Sequence, residues 1–123
     1  MDTLPNARRL DLLRANKAWQ CVQGNLGSDS FKEYVQLARG AAADIVTNGL
    51  GPTLAFWSSK RDAHHKLFEH VSSWLSTQIS YEGQPDLLAW VVNKADTPKY
   101  RRATAEAIEF LVWLKRFAEA ANK

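Results

Sequence analysis

The sequence has little of what small secreted domains and membrane proteins depend on. Its 123 residues include a single cysteine, Cys21, so no disulfide can form within the chain. We therefore expect the protein to be located in a reducing cytoplasm. The longest apolar run near the C-terminal end, residues 110–114, is far shorter than the ~20 residues of a membrane-spanning helix. The first nine residues lack the apolar segment of a secretory signal. We therefore expect a soluble protein without a membrane partner.

Alternating apolar and polar runs, which would indicate β-strands, are absent, as are internal repeats and low-complexity segments. The sequence instead has apolar residues at helical spacing. All hydrophobic residues together make up 46% of the chain and include five Trp and five Phe. A chain of this length can bury roughly two-thirds of the surface that it exposes when unfolded. The prediction is an all-α fold: one domain over residues 1–123, built as a compact bundle of about six helices.

Helix start and stop signals divide the chain. Ser30 and Glu33 have the spacing of a capping box, Asp62 can cap a later helix, and Thr97-Pro98 begins the last one. Between the second and third helices, Asn48-Gly49 can enter the left-handed region and Gly51-Pro52 can restart a helix. The predicted helices cover about residues 5–23, 30–48, 52–60, 62–80, 85–92 and 97–120. The last is apolar around much of its circumference, which predicts a largely buried C-terminal helix.

The first helix has an apolar stripe whose members recur every three or four residues: Leu12, Ala15, Trp19, Val22 and Leu26. Arg14 and Lys17 fall opposite this stripe, as do Leu10 and Cys21. The helix can therefore contact two neighbours in its own bundle, or present Leu10 and Cys21 to another protein. On the last helix, Arg102 and Glu106 are predicted to pair across one helical turn on a solvated strip.

Catalytic and metal-binding patterns are not convincing. His64, His65 and His70 lie within seven residues, but only His65 and Glu69 have the separation that places two ligands on one helical face. Cys21 has no local base to activate it. The Gly49-Leu50-Gly51 run lacks the remaining residues of a phosphate-binding loop. The sequence predicts no enzyme activity, no cofactor and no metal.

The charge balance is mildly basic, with 16 Lys and Arg against 13 Asp and Glu, a net charge of +3 and a pI of about 9.2. The basic residues form patches on several predicted helices. Such patches suit contact with a phosphate backbone without reading of bases. The aromatic and glycine signature of an RNA-recognition motif is missing, and the aromatic residues have core spacing, so base stacking is not predicted.

Two stretches of the sequence carry distinctive motifs. In residues 45–60, positions 48–51 read Asn-Gly-Leu-Gly and are followed by Thr53-Leu54-Ala55-Phe56 and Lys60. Residues 100–120 contain Tyr100-Arg101-Arg102-Ala103-Thr104, Ala107, Phe110-Leu111, residues 113–116 and residues 118–120. Both stretches resemble one known family, the small subunit of the type III-B (Cmr) CRISPR effector complex. Pro52 departs from the family pattern, which more often has a polar residue there.

The resemblance implies a non-catalytic helical subunit. Several copies stack into a filament beside the backbone subunits that hold the guide RNA, and the filament helps to accommodate target RNA. The hypothesis for its RNA-facing surface names six residues: Lys60, Arg61, Arg101 and Arg102, with Arg14 and Lys17 as secondary candidates. The implied partners are other Cmr subunits, further copies of this chain, and guide and target RNA. The alternative is a purely structural scaffold that contacts neighbours near Leu10 or Cys21 and does not touch RNA.

Overall fold

The computed structural model describes residues 5–122, which contain six α-helices and no strand. In chain order they are α1 (Asn6–Asn25), α2 (Phe31–Asn48), α3 (Leu50–Ser59), α4 (Ala63–Gln78), α5 (Leu87–Asn93) and α6 (Thr97–Ala121). The predicted all-α bundle is confirmed, and each predicted helix is present.

The long helix α6 packs against α1, α2 and α4, while α3 and α5 pack against α4 and against each other, and α3 also contacts α2. The buried face of α6 has small residues at Ala103, Ala107 and Ala118, which allow close approach of neighbouring helices. Between them Phe110 is fully buried and stacks on Trp74 of α4, with ring centroids 5.8 Å apart. The C-terminal helix is thus an organising element of the core, as predicted.

The last two helices begin close to the predicted positions, and each has an aspartate cap. Asp86 accepts a hydrogen bond from the backbone N–H of Ala89, and Asp96 accepts one from that of Lys99. Each contact satisfies a donor that the first turn of a helix leaves unpaired. At α2 and α4 the positions are right but the chemistry differs, since neither Ser30 nor Asp62 makes a side-chain capping bond. The predicted capping box is therefore wrong.

One glycine separates α2 from α3. Gly49 has φ 92° and ψ 154°, so its φ is positive as predicted, but its ψ lies outside the left-handed helical region. Gly51 already belongs to α3, and its backbone N–H donates to the Tyr100 hydroxyl at 2.8 Å. A side chain of α6 therefore satisfies a first-turn donor of α3 and fixes the angle of the joint.

The apolar stripe predicted for α1 is largely wrong. The buried positions are Ala18, Cys21, Val22 and Asn25, while Leu12, Trp19 and Leu26 are 39%, 48% and 43% exposed. Burial follows the smaller residues because they let α1 lie close to α6. Trp19 stays at the edge, where its ring meets that of Phe117 edge-on at 5.3 Å. Cys21 is buried and Leu10 is half-buried, so neither forms an exposed surface.

Candidate nucleic-acid interface

The turn between α3 and α4 presents two exposed cations, Lys60 and Arg61. Helix α3 ends because the backbone at Lys60 is extended, with φ −97° and ψ 174°. The Lys60 ammonium lies 5.0 Å from the centroid of the Phe56 ring. Within residues 5–122, no carboxylate forms an ion pair with either cation. Both charges therefore remain available to an anionic partner.

The first two turns of α6 present a second set of cations. Arg101 is exposed and has no ion-pair partner in the described part of the chain. Arg102 is also exposed and donates one hydrogen bond, at 3.3 Å, to the backbone carbonyl of Gln78. Lys99 is already paired with Glu82 at 3.1 Å. Hydrogen bonds from Trp90 and Lys99 lower the pKa of the Glu82 carboxyl, so it stays ionised and neutralises Lys99.

Arg14 does not lie on an exposed face, contrary to the sequence prediction. Its guanidinium makes two hydrogen bonds to the Glu106 carboxylate, at 2.6 and 2.8 Å, and the side chains are only 14% and 11% exposed. The Trp74 indole donates to the same carboxylate at 2.9 Å. The hydrogen bond to Glu106 raises the pKa of Arg14. Glu106 therefore joins α1, α4 and α6, and the predicted pairing of Glu106 with Arg102 is wrong.

Lys17 is half-buried, one turn along α1 from Arg14. Its charge acts on Cys21 and on His70, so it lies near the junction of α1 with α4 while part of the residue remains exposed. Burial nevertheless raises the pKa of the Cys21 thiol to about 11, and that thiol remains protonated at neutral pH. This side of α1 is less accessible than the sequence indicated.

The two exposed sets of cations do not form one patch on a single molecule. Lys60 and Arg61 immediately precede α4, whereas Arg102 contacts Gln78, the last residue of α4. The sixteen residues of α4 correspond to about 24 Å at 1.5 Å per residue. The sequence prediction placed these residues on one RNA-facing surface only because they share a charge. In the fold, the two sets are separated by the length of α4.

The three histidines contact three different partners. His64 Nδ1 lies 3.6 Å from a Glu33 carboxylate oxygen, and His65 Nε2 lies 3.8 Å from one of Glu69. His70 Nδ1 is hydrogen-bonded to the Tyr34 hydroxyl at 2.6 Å, where burial lowers the pKa of His70 to about 4. Across residues 5–122, no three His, Cys, Asp or Glu side chains are grouped to hold a metal ion.

Two exposed apolar features were missed from the sequence. Leu12 and Trp19 on α1, with Leu26 just past its end, form a partly exposed stripe, and Phe56 on α3 is 52% exposed. The signal for Phe56 was available, because Pro52, Phe56 and Lys60 recur every four residues and so share a face that ends in a charge. Among residues 5–122, no helix combines the length and apolarity needed to cross a bilayer.

Fold and surface together define a small, all-helical protein with exposed cations and exposed apolar side chains. The family model described as "CRISPR-associated protein (Cas_Cmr5)" matches residues 10–121. A crystal structure of a CRISPR-associated Cmr5 family protein from Thermus thermophilus is also similar, with a TM-score of 0.76 and 29% sequence identity. That similarity covers 92% of this chain and 97% of the other.

The chain belongs to the Cmr5 family, the small subunit of the type III-B (Cmr) CRISPR complex. The family match extends over both stretches, 45–60 and 100–120, on which the sequence resemblance was based. The resemblance is therefore confirmed, and other subunits of the Cmr complex are the partners that family membership implies.

Proposed function

We propose that this Cmr subunit is non-catalytic, acts in the cytoplasm, and lines up in several copies beside the backbone subunits that hold the guide RNA. There it helps to hold target RNA for antiviral defence. The observation that carries the proposal is that Lys60, Arg61 and Arg101 are exposed without a carboxylate partner in the described residues. Such cations can neutralise RNA phosphates without first breaking a protein ion pair, and the counterions released favour binding.

The other basic candidates have different roles in this proposal. Arg102 uses one donor for the Gln78 carbonyl, and its remaining guanidinium N–H groups can reach a phosphate. Lys17 is a secondary contact because it is half-buried. Arg14 is assigned to bundle stability, since an RNA phosphate would have to displace the Glu106 carboxylate from a bidentate pair.

The separation of the two basic sets supports an arrangement of copies end to end. One molecule presents Lys60 and Arg61 at the start of α4 and Arg101 and Arg102 near its end, about 24 Å away by helix rise. Stacked copies would place one set beside the other and produce a longer basic track. A single copy offers few phosphate contacts, so RNA affinity should increase with assembly.

The test is charge reversal at the α3–α4 turn, with Lys60→Glu and Arg61→Glu combined in the assembled complex. Target-RNA affinity should fall, and the slope of log affinity against log salt should flatten by about 0.7 per lost phosphate contact. The control combines Arg8→Glu and Arg116→Glu, which changes the net charge equally. Both control residues are exposed and already form ion pairs with neighbouring acids on their own helices.

Assembly must be checked for both variants by co-purification with the other Cmr subunits. Reduced RNA affinity in the first variant alone supports the proposal. Equal affinity and an equal salt slope for the wild type and both variants, in correctly assembled complexes, would refute it.

A purely structural role is the second candidate, and the exposed apolar stripe of α1 favours it. Trp19 is 48% exposed, and Leu12 and Leu26 lie seven residues before and after it. If the chain is only a scaffold, Trp19→Ser should weaken co-assembly while reversal of Lys60 and Arg61 leaves RNA affinity unchanged. The Leu10 and Cys21 surface suggested by the sequence is replaced by this stripe, because the fold buries Cys21 and half-buries Leu10.

A further inference from the structure

Phe56 is an aromatic side chain that the bundle leaves outside its core. Its neighbours on α3, Leu54 and Trp57, are 0% and 2% exposed, whereas Phe56 is 52% exposed. Pro52 and Lys60 lie one turn to either side of it on the same helical face. The ring therefore belongs to a surface strip whose last member is a cation.

The electrostatic surroundings of the ring are positive on one side. The Lys60 ammonium lies 5.0 Å from the ring centroid, and Arg61 is the next residue. The His64 ring meets Phe56 nearly perpendicularly, with centroids 5.6 Å apart. At an exposed site a cation–π contact is worth only about 0.5–1 kcal/mol, so the flexible Lys60 side chain can leave the ring to contact a phosphate.

Phe56 also lines a cleft of about 490 Å³ between α2 and α3. Asp44 and Asn48 also line this cleft, and in the described residues neither side chain has a hydrogen-bond partner. An amide and a carboxylate offer donors and acceptors to the edge of a nucleobase. Asp44 repels a phosphate, whereas Lys60 and Arg61 attract one, which sets the direction in which a nucleotide would lie.

We propose that Phe56 is a stacking platform for one base of a single-stranded RNA segment. The base lies over the ring with its edge towards Asp44 and Asn48, and the adjoining phosphates contact Lys60 and Arg61. The inference rests on the proposed RNA-holding function and adds a base contact to it. Stacking tolerates any sequence because every base has a π-face, so it is compatible with target choice by guide pairing.

The test compares two ligands on the full-length chain at low salt, by fluorescence anisotropy. One is a single-stranded RNA of about 12 nucleotides, within the site sizes of single-strand binders. The other is an abasic ribose-phosphate chain of equal length. Phe56→Leu should weaken RNA binding about 5-fold to 10-fold, the low end of the loss per stacked base. It should leave binding of the abasic chain unchanged.

Two further variants sharpen the comparison. Phe56→Trp should bind RNA at least as tightly as the wild type, because the larger ring preserves the stacking surface. Val92→Ala is the matched control: Val92 is 80% exposed, so the change removes exposed apolar surface from α5, a different helix from the one that carries Phe56. It should change neither affinity.

The outcomes separate this inference from the function on which it rests. If Phe56→Leu changes neither affinity, or lowers both equally, stacking is refuted. Even if stacking is refuted, the proposed role in holding RNA is supported when the variant with both Lys60→Glu and Arg61→Glu binds both ligands more weakly. If the free wild-type chain binds neither ligand, stacking is tested in the assembled complex with photoreactive target RNA. If Phe56 stacks on a base there, the RNA must cross-link to Phe56. Absence of that cross-link refutes stacking.

Discussion

Replacement of Glu106 by glutamine removes one charge from a point where three helices meet. The carboxylate accepts two hydrogen bonds from Arg14 of α1 and one from Trp74 of α4. Glutamine keeps one acceptor oxygen but turns an N–H₂ group towards the guanidinium or the indole. The variant therefore leaves the Arg14 charge, which is 14% exposed, with only its longer contact to Asp11, at 3.5 Å.

The expected cost lies between two limits. Breaking a fully buried pair costs about 3–5 kcal/mol, whereas exposed pairs contribute about 0–1 kcal/mol. Because the Glu106 side chain is 11% exposed, we expect Glu106→Gln to lower the free energy of unfolding by about 2 kcal/mol. Urea denaturation followed by circular dichroism at about pH 7 measures this value.

A double-mutant cycle with Arg14→Met tests the cause. If the ion pair is responsible, the double variant should cost about 1 kcal/mol less than the sum of the single variants, since removal of both charges leaves neither unpaired. Additivity within about 0.5 kcal/mol would refute the coupling. The correctly folded double variant should also retain target-RNA affinity, because the structure assigns Arg14 to packing between helices.

The pH dependence provides an independent check. Burial by itself raises the pKa of Glu106, but hydrogen bonds from Arg14 and Trp74 and the Arg14 charge outweigh it, and the net pKa lies below 4.5. The unfolded chain therefore binds the proton first as pH falls. The stability from this carboxylate is fully present above about pH 4.5 and is lost as pH falls through the lower folded pKa. The difference between wild type and Glu106→Gln should shrink over that range.

Two further predictions concern the α2–α3 joint and the buried histidine. Gly49→Ala should lower the free energy of unfolding in urea by about 2 kcal/mol, because a residue with a side chain is strained at this positive φ. A steric clash does not add to this cost, since the new Cβ would meet only ordinary contacts at 3.5 Å. Gly49→Asn should cost as much, and an unchanged urea midpoint in either variant would contradict the strain. Burial, then the charges of Lys66 and Lys17, lower the pKa of His70 to about 4 from 6.5, so stability should fall as pH drops through that window. Between about pH 7 and pH 5 the free energy of unfolding of the wild type should fall by about 2 kcal/mol through protonation of His70 in the unfolded chain. The His70→Gln variant should not show this decrease. Equal decreases for both proteins, measured by urea titration at each pH, would refute the prediction.

The helices were predictable because their signals are local. Asp86, Asp96 and Gly49 act within a few residues of their own positions, through one side-chain hydrogen bond or one backbone angle. The apolar spacing of α6 likewise indicated burial, since one helix with several buried sides must have several neighbours. Fold class and helix number followed from such features.

The candidate site was less predictable because it depends on contacts between distant segments. Arg14 and Glu106 are 92 positions apart, and nothing near either residue indicates that they meet. Helix α1 is apolar on two sides, so spacing alone could not decide which side faces α6. Phe56 was assigned to the core with the other aromatic residues by their spacing, although its helical face ends in Lys60.

The sequence by itself determined the all-helical fold class, the approximate ends of the helices and the stretches that resemble the Cmr small subunit. These properties depend on residues that are neighbours along the chain. Only the tertiary structure decided which cations stay exposed and which are neutralised. It paired Arg14 with Glu106, left Lys60, Arg61 and Arg101 without carboxylate partners in the described residues, and placed the two exposed sets at opposite ends of α4. The physical reason is that charge and exposure depend on which helices pack together, and packing selects small residues and paired charges across long separations in sequence.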